Sequence, residues 1–266
     1  MIRTPAVAGS FYPGDSETLR NEVESHILKN AVKTRALGVV SPHAGFMYSG
    51  DVAGAVYSRI EIPDTVILLG PNHTGEGKTI ALMSQGSWSL PTGTVQIDSE
   101  LAAEISSSLV QIDAVAHINE HCLETQIPFI QYFRKDFKIV PICLMKASYE
   151  TCEAVSNEIV GAIDRLERRS VVIVASSDMT HYEPHESASR KDRQVIDLIL
   201  QRDARAVYMT VKKQNITMCG VIPVTVMLMC CNKMGSSQAE LAKYMTSGEI
   251  SGDYKRVVGY AGIIIK

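Results

Sequence analysis

Apolar runs of strand length alternate along this chain with longer amphipathic stretches. Leu37–Ser41, Thr65–Gly70, Lys138–Cys143 and Val171–Ser176 are β-branched or continuously apolar, the pattern of strands buried on both faces. Between them lie helical patterns. Ser16–Lys29 opens with an N-cap in Asp15 or Ser16 and repeats apolar residues at Leu19, Val23 and Ile27. Asp51–Ile60, Leu123–Phe133, Tyr149–Leu166, His185–Leu200 and Val221–Cys231 follow the same logic, and Lys255–Ile265 closes the chain as a strand. Thr79–Ile97, which holds Trp88 and Pro91, predicts antiparallel strands or a hairpin. This alternation predicts an α/β fold with a mostly parallel or mixed sheet flanked by helices. No repeat or low-complexity linker interrupts it, and Thr74–Lys78 and Met234–Gln238 read as short connections, so one domain is expected over residues 1–266.

Composition narrows the function classes. The 266 residues are 45% hydrophobic and 21% charged, with a formal net charge of -3 and no basic run, so the electrostatic footprint of a nucleic-acid binder is missing. Anionic small molecules stay admissible, because a local positive pocket needs only a few residues. The segment MIRTPAVAGSFYPGD lacks a long apolar core, and the apolar runs elsewhere are too short to span a bilayer, so a cytoplasmic location with no membrane association is expected. Cys122, Cys143, Cys152, Cys219, Cys230 and Cys231 form no CxxC pair, which fits reduced thiols.

Three histidine motifs end three of the predicted strands. Leu37–Ser41 runs into Pro42-His43-Ala44-Gly45, Thr65–Gly70 into Pro71-Asn72-His73, and Val171–Ser176 into Ser177-Asp178-Met179-Thr180-His181. Ligand crevices of open α/β sheets lie beyond the carboxyl ends of the strands, so three loops deliver imidazoles to one sheet edge. Flanking proline and glycine let such loops hold a side chain in one pose. Cys219 precedes the helix near Val221, where exposed N–H groups would favour the thiolate, the form that binds metal or attacks an electrophile. The other cysteines sit inside apolar patterns and read as packed thiols. In Glu120-His121-Cys122-Leu123-Glu124, His121 and Glu124 would share a face if a helix begins here, and suit a cap or an ion pair at least as well as a role in the site. His26 and His117 read as peripheral, and His185 as a solvent-facing residue at a helix start.

AGSFYP, SPHAGFMYSG, LLGPNH, EHCLETQIPF, SSDMTHY and TMCGVIP occur in this order and together resemble the Memo family across essentially the whole chain. The resemblance implies a fold similar to class III extradiol dioxygenases, non-haem iron enzymes that hold Fe(II) with two histidines and one carboxylate and cleave catechols with O₂. It places His43 and His73 at the histidine ligand positions, His181 at the acid/base position, and Cys219 where the carboxylate would be. Iron is the metal that the resemblance favours, whereas a thiolate ligand shifts preference toward zinc or copper and away from ring cleavage. Prokaryotic Memo-like proteins, as in AmmeMemoRadiSam system protein B, are associated with an AMMECR-type protein and a radical-SAM protein, which the resemblance implies as partners.

Three functions follow, in order of preference. The first is a metal-dependent oxidoreductase with His43, His73 and Cys219 as ligands and Asp178 and His181 as acid/base groups. The second is a non-catalytic module whose pocket holds a metal, a small molecule or a peptide. The third is a hydrolase with Cys219 as nucleophile, His181 as base and Asp178 orienting it.

Overall fold

The computed structural model describes residues 1–266. Its strands are β1 (Ile2–Arg3), β2 (Gly38–Ser41), β3 (Thr65–Pro71), β4 (Ile80–Leu82), β5 (Ser87–Leu90), β6 (Gly93–Ile97), β7 (Gln111–Ile112), β8 (Lys138–Leu144), β9 (Val171–Ser176), β10 (His181–Glu183), β11 (Ala239–Thr246) and β12 (Val257–Ile265). They join one mixed sheet with the path β1-β5-β6-β8-β3-β9-β2-β12-β10. Its centre is parallel: β8 pairs β3, β3 pairs β9 and β9 pairs β2. Every residue of β2, β3 and β9 is buried, because helices cover both faces of these strands. The sheet and its helices share one apolar cluster of 72 buried residues. The single α/β domain expected from the alternation is the fold observed.

Pro141 lies inside the central strand β8, where a missing N–H would ordinarily break the ladder. On one edge β8 pairs first with β6 at Lys138 and Ile139, then with β4 from Ile142 to Leu144. Pro141 falls at that change of partner, and its carbonyl accepts from the Met83 N–H. The Thr79–Ile97 region contains an antiparallel β5–β6 hairpin, as the pattern suggested.

Several boundaries move for tertiary reasons. The helix expected over Asp51–Ile60 spans Phe46–Tyr57 and begins just after Gly45, with the Phe46 N–H capped by the Phe11 carbonyl of the N-terminal segment. The helix expected over Leu123–Phe133 is divided into a 3-10 turn, Glu124–Gln126, and an α-helix, Ile127–Phe133. Pro128 suits the first turn of a helix, where its missing N–H costs nothing, and so marks a helix start. Strand β11 and the helix Ala204–Lys213 fall outside the elements read from the sequence.

Glu124, read as a cap or ion-pair residue, and His117, read as peripheral, are both buried structural residues. Glu124 is fully buried and binds Arg3 through Nη1 at 2.6 Å. It also accepts from the N–H groups of Ala6 and Val7 and from the Tyr12 hydroxyl. Arg3 further donates to the carbonyls of His117 and Glu120 and lies over Trp88 at 4.1 Å. The N-terminal strap is thereby fastened to the loop that carries His121. His117, expected to be peripheral, is fully buried: Nε2 donates to the Ala81 carbonyl and Nδ1 faces the Cys143 thiol.

Burial, assisted by the Arg3 charge, lowers the His117 pKa to about 4. In this window the unfolded chain takes up a proton that the folded one refuses. Stability is therefore expected to fall as pH drops from about 6.5 toward 4, by up to about 3 kcal/mol from this residue. Urea titrations across that range, wild type against His117→Gln, check it: the variant should lose that part of the slope.

Candidate functional site

His43, His73 and Asp178 sit just past the carboxyl ends of β2, β3 and β9, which are adjacent in the sheet in the order β3-β9-β2. Strand adjacency thus brings together residues far apart in sequence. Cys219 does not follow a strand but precedes the helix Val221–Lys233. Gly220 makes this approach feasible, since a Cβ there would lie 2.4 Å from the Ser177 Cβ and 2.5 Å from the Ser176 carbonyl oxygen. The Cys219 thiol lies 3.3 Å from His43 Nε2 and accepts the Asp178 N–H at 3.3 Å.

The hydrogen bonds fix which nitrogen of each imidazole is free. Ser176 spends its hydroxyl proton on the Cys122 carbonyl and accepts from Gln126 Nε2, so it serves His43 Nδ1, at 2.9 Å, as an acceptor. His43 therefore carries its proton on Nδ1 and turns an Nε2 lone pair toward Cys219. Gln126 Nε2 also donates to the Pro42 carbonyl, and its Oε1 accepts from Tyr57, which holds the His43 loop down. Burial, with the neighbouring imidazoles of His73 and His121, holds the His43 pKa well below its ordinary value, so the ring is neutral.

His73 donates through Nδ1 to Glu120 Oε1 at 2.9 Å, which frees its Nε2. Burial alone would raise the Glu120 carboxyl. The His73 ring and the backbone N–H groups of Cys122 and His73 outweigh that and bring it down to about 2. A carboxylate behind an imidazole fixes its tautomer and raises its basicity. Nothing in the spacing of Glu120 singled out this role; its signal lies in the buried loop after Asn119. Glu120→Gln is expected to weaken metal affinity roughly 10–100-fold, read by competition with a coloured chelator.

His121, read from sequence as part of a cap or ion pair, enters the same cluster. The ligating atoms of His43, His73 and His121 lie within 4.8 Å of one another. Its ring stacks on His73 with centroids 4.7 Å apart and an interplanar angle of 25°, and its Nδ1 is 3.3 Å from the same Glu120 oxygen. The two rings therefore lie side by side on one carboxylate. A second grouping, His73, Glu120 and Cys122, is occupied internally: Glu120 accepts four N–H groups and Cys122 donates to the Pro71 carbonyl.

Asp178 accepts from a site histidine, through the backbone and not the ring. Its Oδ1 accepts the backbone N–H of His43 at 2.9 Å, and Oδ2 is 4.0 Å from His43 Nε2. Burial pushes its carboxyl up to about 6 against that hydrogen bond. His181 Nδ1 is shared between the carbonyls of Met179 and Thr217, each at 2.8 Å, so Nδ1 carries a proton and Nε2 makes none of these bonds. Asp178 thus does not hold the His181 ring. The thiolate expected at the helix N-terminus is not favoured either. Burial, then the Asp178 charge, pushes the Cys219 thiol far above its ordinary value. The remaining cysteines are buried and unpaired, as expected. His185 opens the helix His185–Leu200 and is half-buried, with Nδ1 at 2.9 Å from Thr246 Oγ1, so it is not simply solvent-facing.

No helix is long and apolar enough to cross a membrane. The Memo-like protein family profile matches residues 3–264. A MEMO1 family protein of Methanopyrus kandleri is 43% identical, with 100% of this chain and 99% of the relative covered. One of Methanosarcina mazei is 44% identical over the same shares. Among solved structures, an uncharacterized protein from Escherichia coli K12 is similar in fold, with a TM-score of 0.55 at 9% identity, covering 86% of this chain and 100% of that one. Matched from end to end by the family profile and by relatives of this identity, the chain belongs to the Memo-like protein family.

Proposed function

We propose that the protein is a metal-dependent oxidoreductase whose ion is held by His43, His73 and Cys219. The observation that carries this reading is a pair of imidazoles whose Nδ1 atoms are committed to Ser176 and Glu120, which leaves Nε2 as the free nitrogen of each ring. That is the state in which imidazole binds zinc, copper or iron. The Cys219 thiol, 3.3 Å from His43 Nε2, is one donor for the third position and the His121 ring, within 4.8 Å of both His43 and His73, is the other; a cation is what would draw the thiol proton off. Three protein ligands would leave positions open for a small molecule, and a bound ion would supply Lewis-acid or electron-transfer chemistry there.

The chain's own residues supply proton handling. His181, with Nδ1 tied to two carbonyls, offers Nε2 of its neutral ring as a general base. His121 stands beside His73 as a second proton-accepting ring. Asp178 anchors the His43 loop and places negative charge near its ring, favouring cationic partners. The metal-free hydrolase reading is the weaker one, because the Cys219 thiol holds its proton and Asp178 does not orient His181.

The test is metal content after anaerobic reconstitution with Fe(II), Zn(II) or Cu(I), followed by O₂ uptake. Near-stoichiometric loading that vanishes in His43→Ala is the expected result. Equal loading in that variant would discard the centre, and loading without redox turnover would leave a metal-binding module.

A further inference from the structure

A cavity of about 550 Å³ opens beside the candidate metal centre, with His73 and Cys219 in its wall. Most of that wall is apolar and well packed: Leu144, Val211, Ile216, Met218 and Ile222 are all buried residues that present surface to it. Its volume is in the range of small-molecule sites. The charged side chains in the lining are Lys146, which follows β8, and Lys212, in the last turn of the helix Ala204–Lys213. Both are exposed, neither makes an ion pair, and no aspartate or glutamate lines the cavity. On a chain with a net charge of -3, two unpaired lysines in an apolar chamber form a local reversal of sign.

We propose that this cavity is the chamber for a small organic anion with an apolar body, its carboxylate or phosphate held by Lys146 and Lys212 and its other end presented to the His73–Cys219 side. The assignment deepens the metal-centre reading by naming a substrate class, and its orientation rests on that reading. The recognition does not, because the lysines and the apolar wall need no metal. Apolar contact supplies affinity, while the two ammonium groups select the charge and set which end enters first. Carboxylates and phosphates share the chemistry, and the probes below separate them.

Calorimetric binding of octanoate, octyl phosphate and octanol to the full chain in EDTA tests the chamber without metal. At least one anion should bind about tenfold or more tighter than octanol, and the tighter one identifies the head group. Lys146→Gln/Lys212→Gln should weaken that anion about tenfold, near threefold per exposed lysine, and leave octanol unchanged. Lys212→Glu should weaken it further, and raised salt should narrow the gap between anion and alcohol. Both lysines are exposed, so an unchanged melting temperature confirms folding of the variants. Octanol binding as tightly as either anion, or anion affinity unchanged in the double variant, would overturn the proposal. Lysine-dependent anion binding in a protein that never takes up metal would uphold the chamber and remove the metal centre. Stoichiometric metal loading without lysine-dependent binding would do the reverse.

Discussion

Glu124→Ala is expected to destabilise the protein by about 3–5 kcal/mol, because it leaves the Arg3 guanidinium buried without its counter-charge. Arg3 is 2% exposed and Glu124 is fully buried, so water cannot take over either role. The same carboxylate also accepts from Ala6, Val7 and Tyr12, and those donors lose their partner together. At roughly 2–4 °C per kcal/mol for a chain of about this size, the melting temperature should fall by on the order of 10 °C. The double variant Arg3→Met/Glu124→Leu should recover much of the loss, since a packed apolar pair avoids the uncompensated charge. Calorimetry on both single variants and the double closes the cycle. A Glu124→Ala melting curve matching wild type would mean that the N-terminal strap does not depend on this pair. Partial loss of metal affinity is expected to accompany the destabilisation, because the strap braces the loop bearing Glu120 and His121.

The second large effect separates two candidates for the third ligand. Cys219→Ser is expected to lower affinity for Zn(II) and Cu(I) by roughly 100-fold or more, since a neutral hydroxyl is a poor substitute for a thiolate. His121→Ala should change it by less than about tenfold, the scale of a group supporting a ligand from behind or beside it. The reasoning is geometric. Cys219 Sγ is 3.3 Å from His43 Nε2, whereas the His121 ring lies nearly parallel to His73 and shares its Glu120 anchor. Chelator competition on both variants decides it, with metal-edge X-ray absorption reporting sulfur directly. Wild-type affinity in Cys219→Ser, together with collapse in His121→Ala, would transfer the third position to His121. Cys219→Asp should then favour Fe(II) over Cu(I) if the thiol is the ligand, as carboxylate is the harder donor.

The central parallel strands, the flanking helices and the carriage of His43, His73 and His181 at strand ends were legible in the sequence. Burial on both faces leaves continuous apolar runs, and a ligand-binding loop must follow such a run in an α/β sheet. His185–Leu200 was legible to the residue, because its apolar face repeats at helical spacing and Pro184 precedes it. Local chemistry decided those features, and local chemistry is what a sequence displays.

What the sequence could not display depends on partners distant along the chain. The Phe46 helix starts five residues earlier than the pattern suggested because Phe11 caps it. His117 and Glu124 become core residues only when the N-terminal strap crosses over them, with Arg3 and Glu124 separated by 121 positions. The roles of Glu120 and His121 rest on the strand order β3-β9-β2 and on a loop folded back over it, and Asp178 chose a backbone N–H 135 positions away in place of a neighbouring imidazole. The Cys219 thiol shows the division most directly. Its place before a helix argued for a lowered pKa, a local dipole effect of modest size. Burial beside the Asp178 carboxylate, which only the tertiary fold imposes, carries the larger energy and drives the proton the other way.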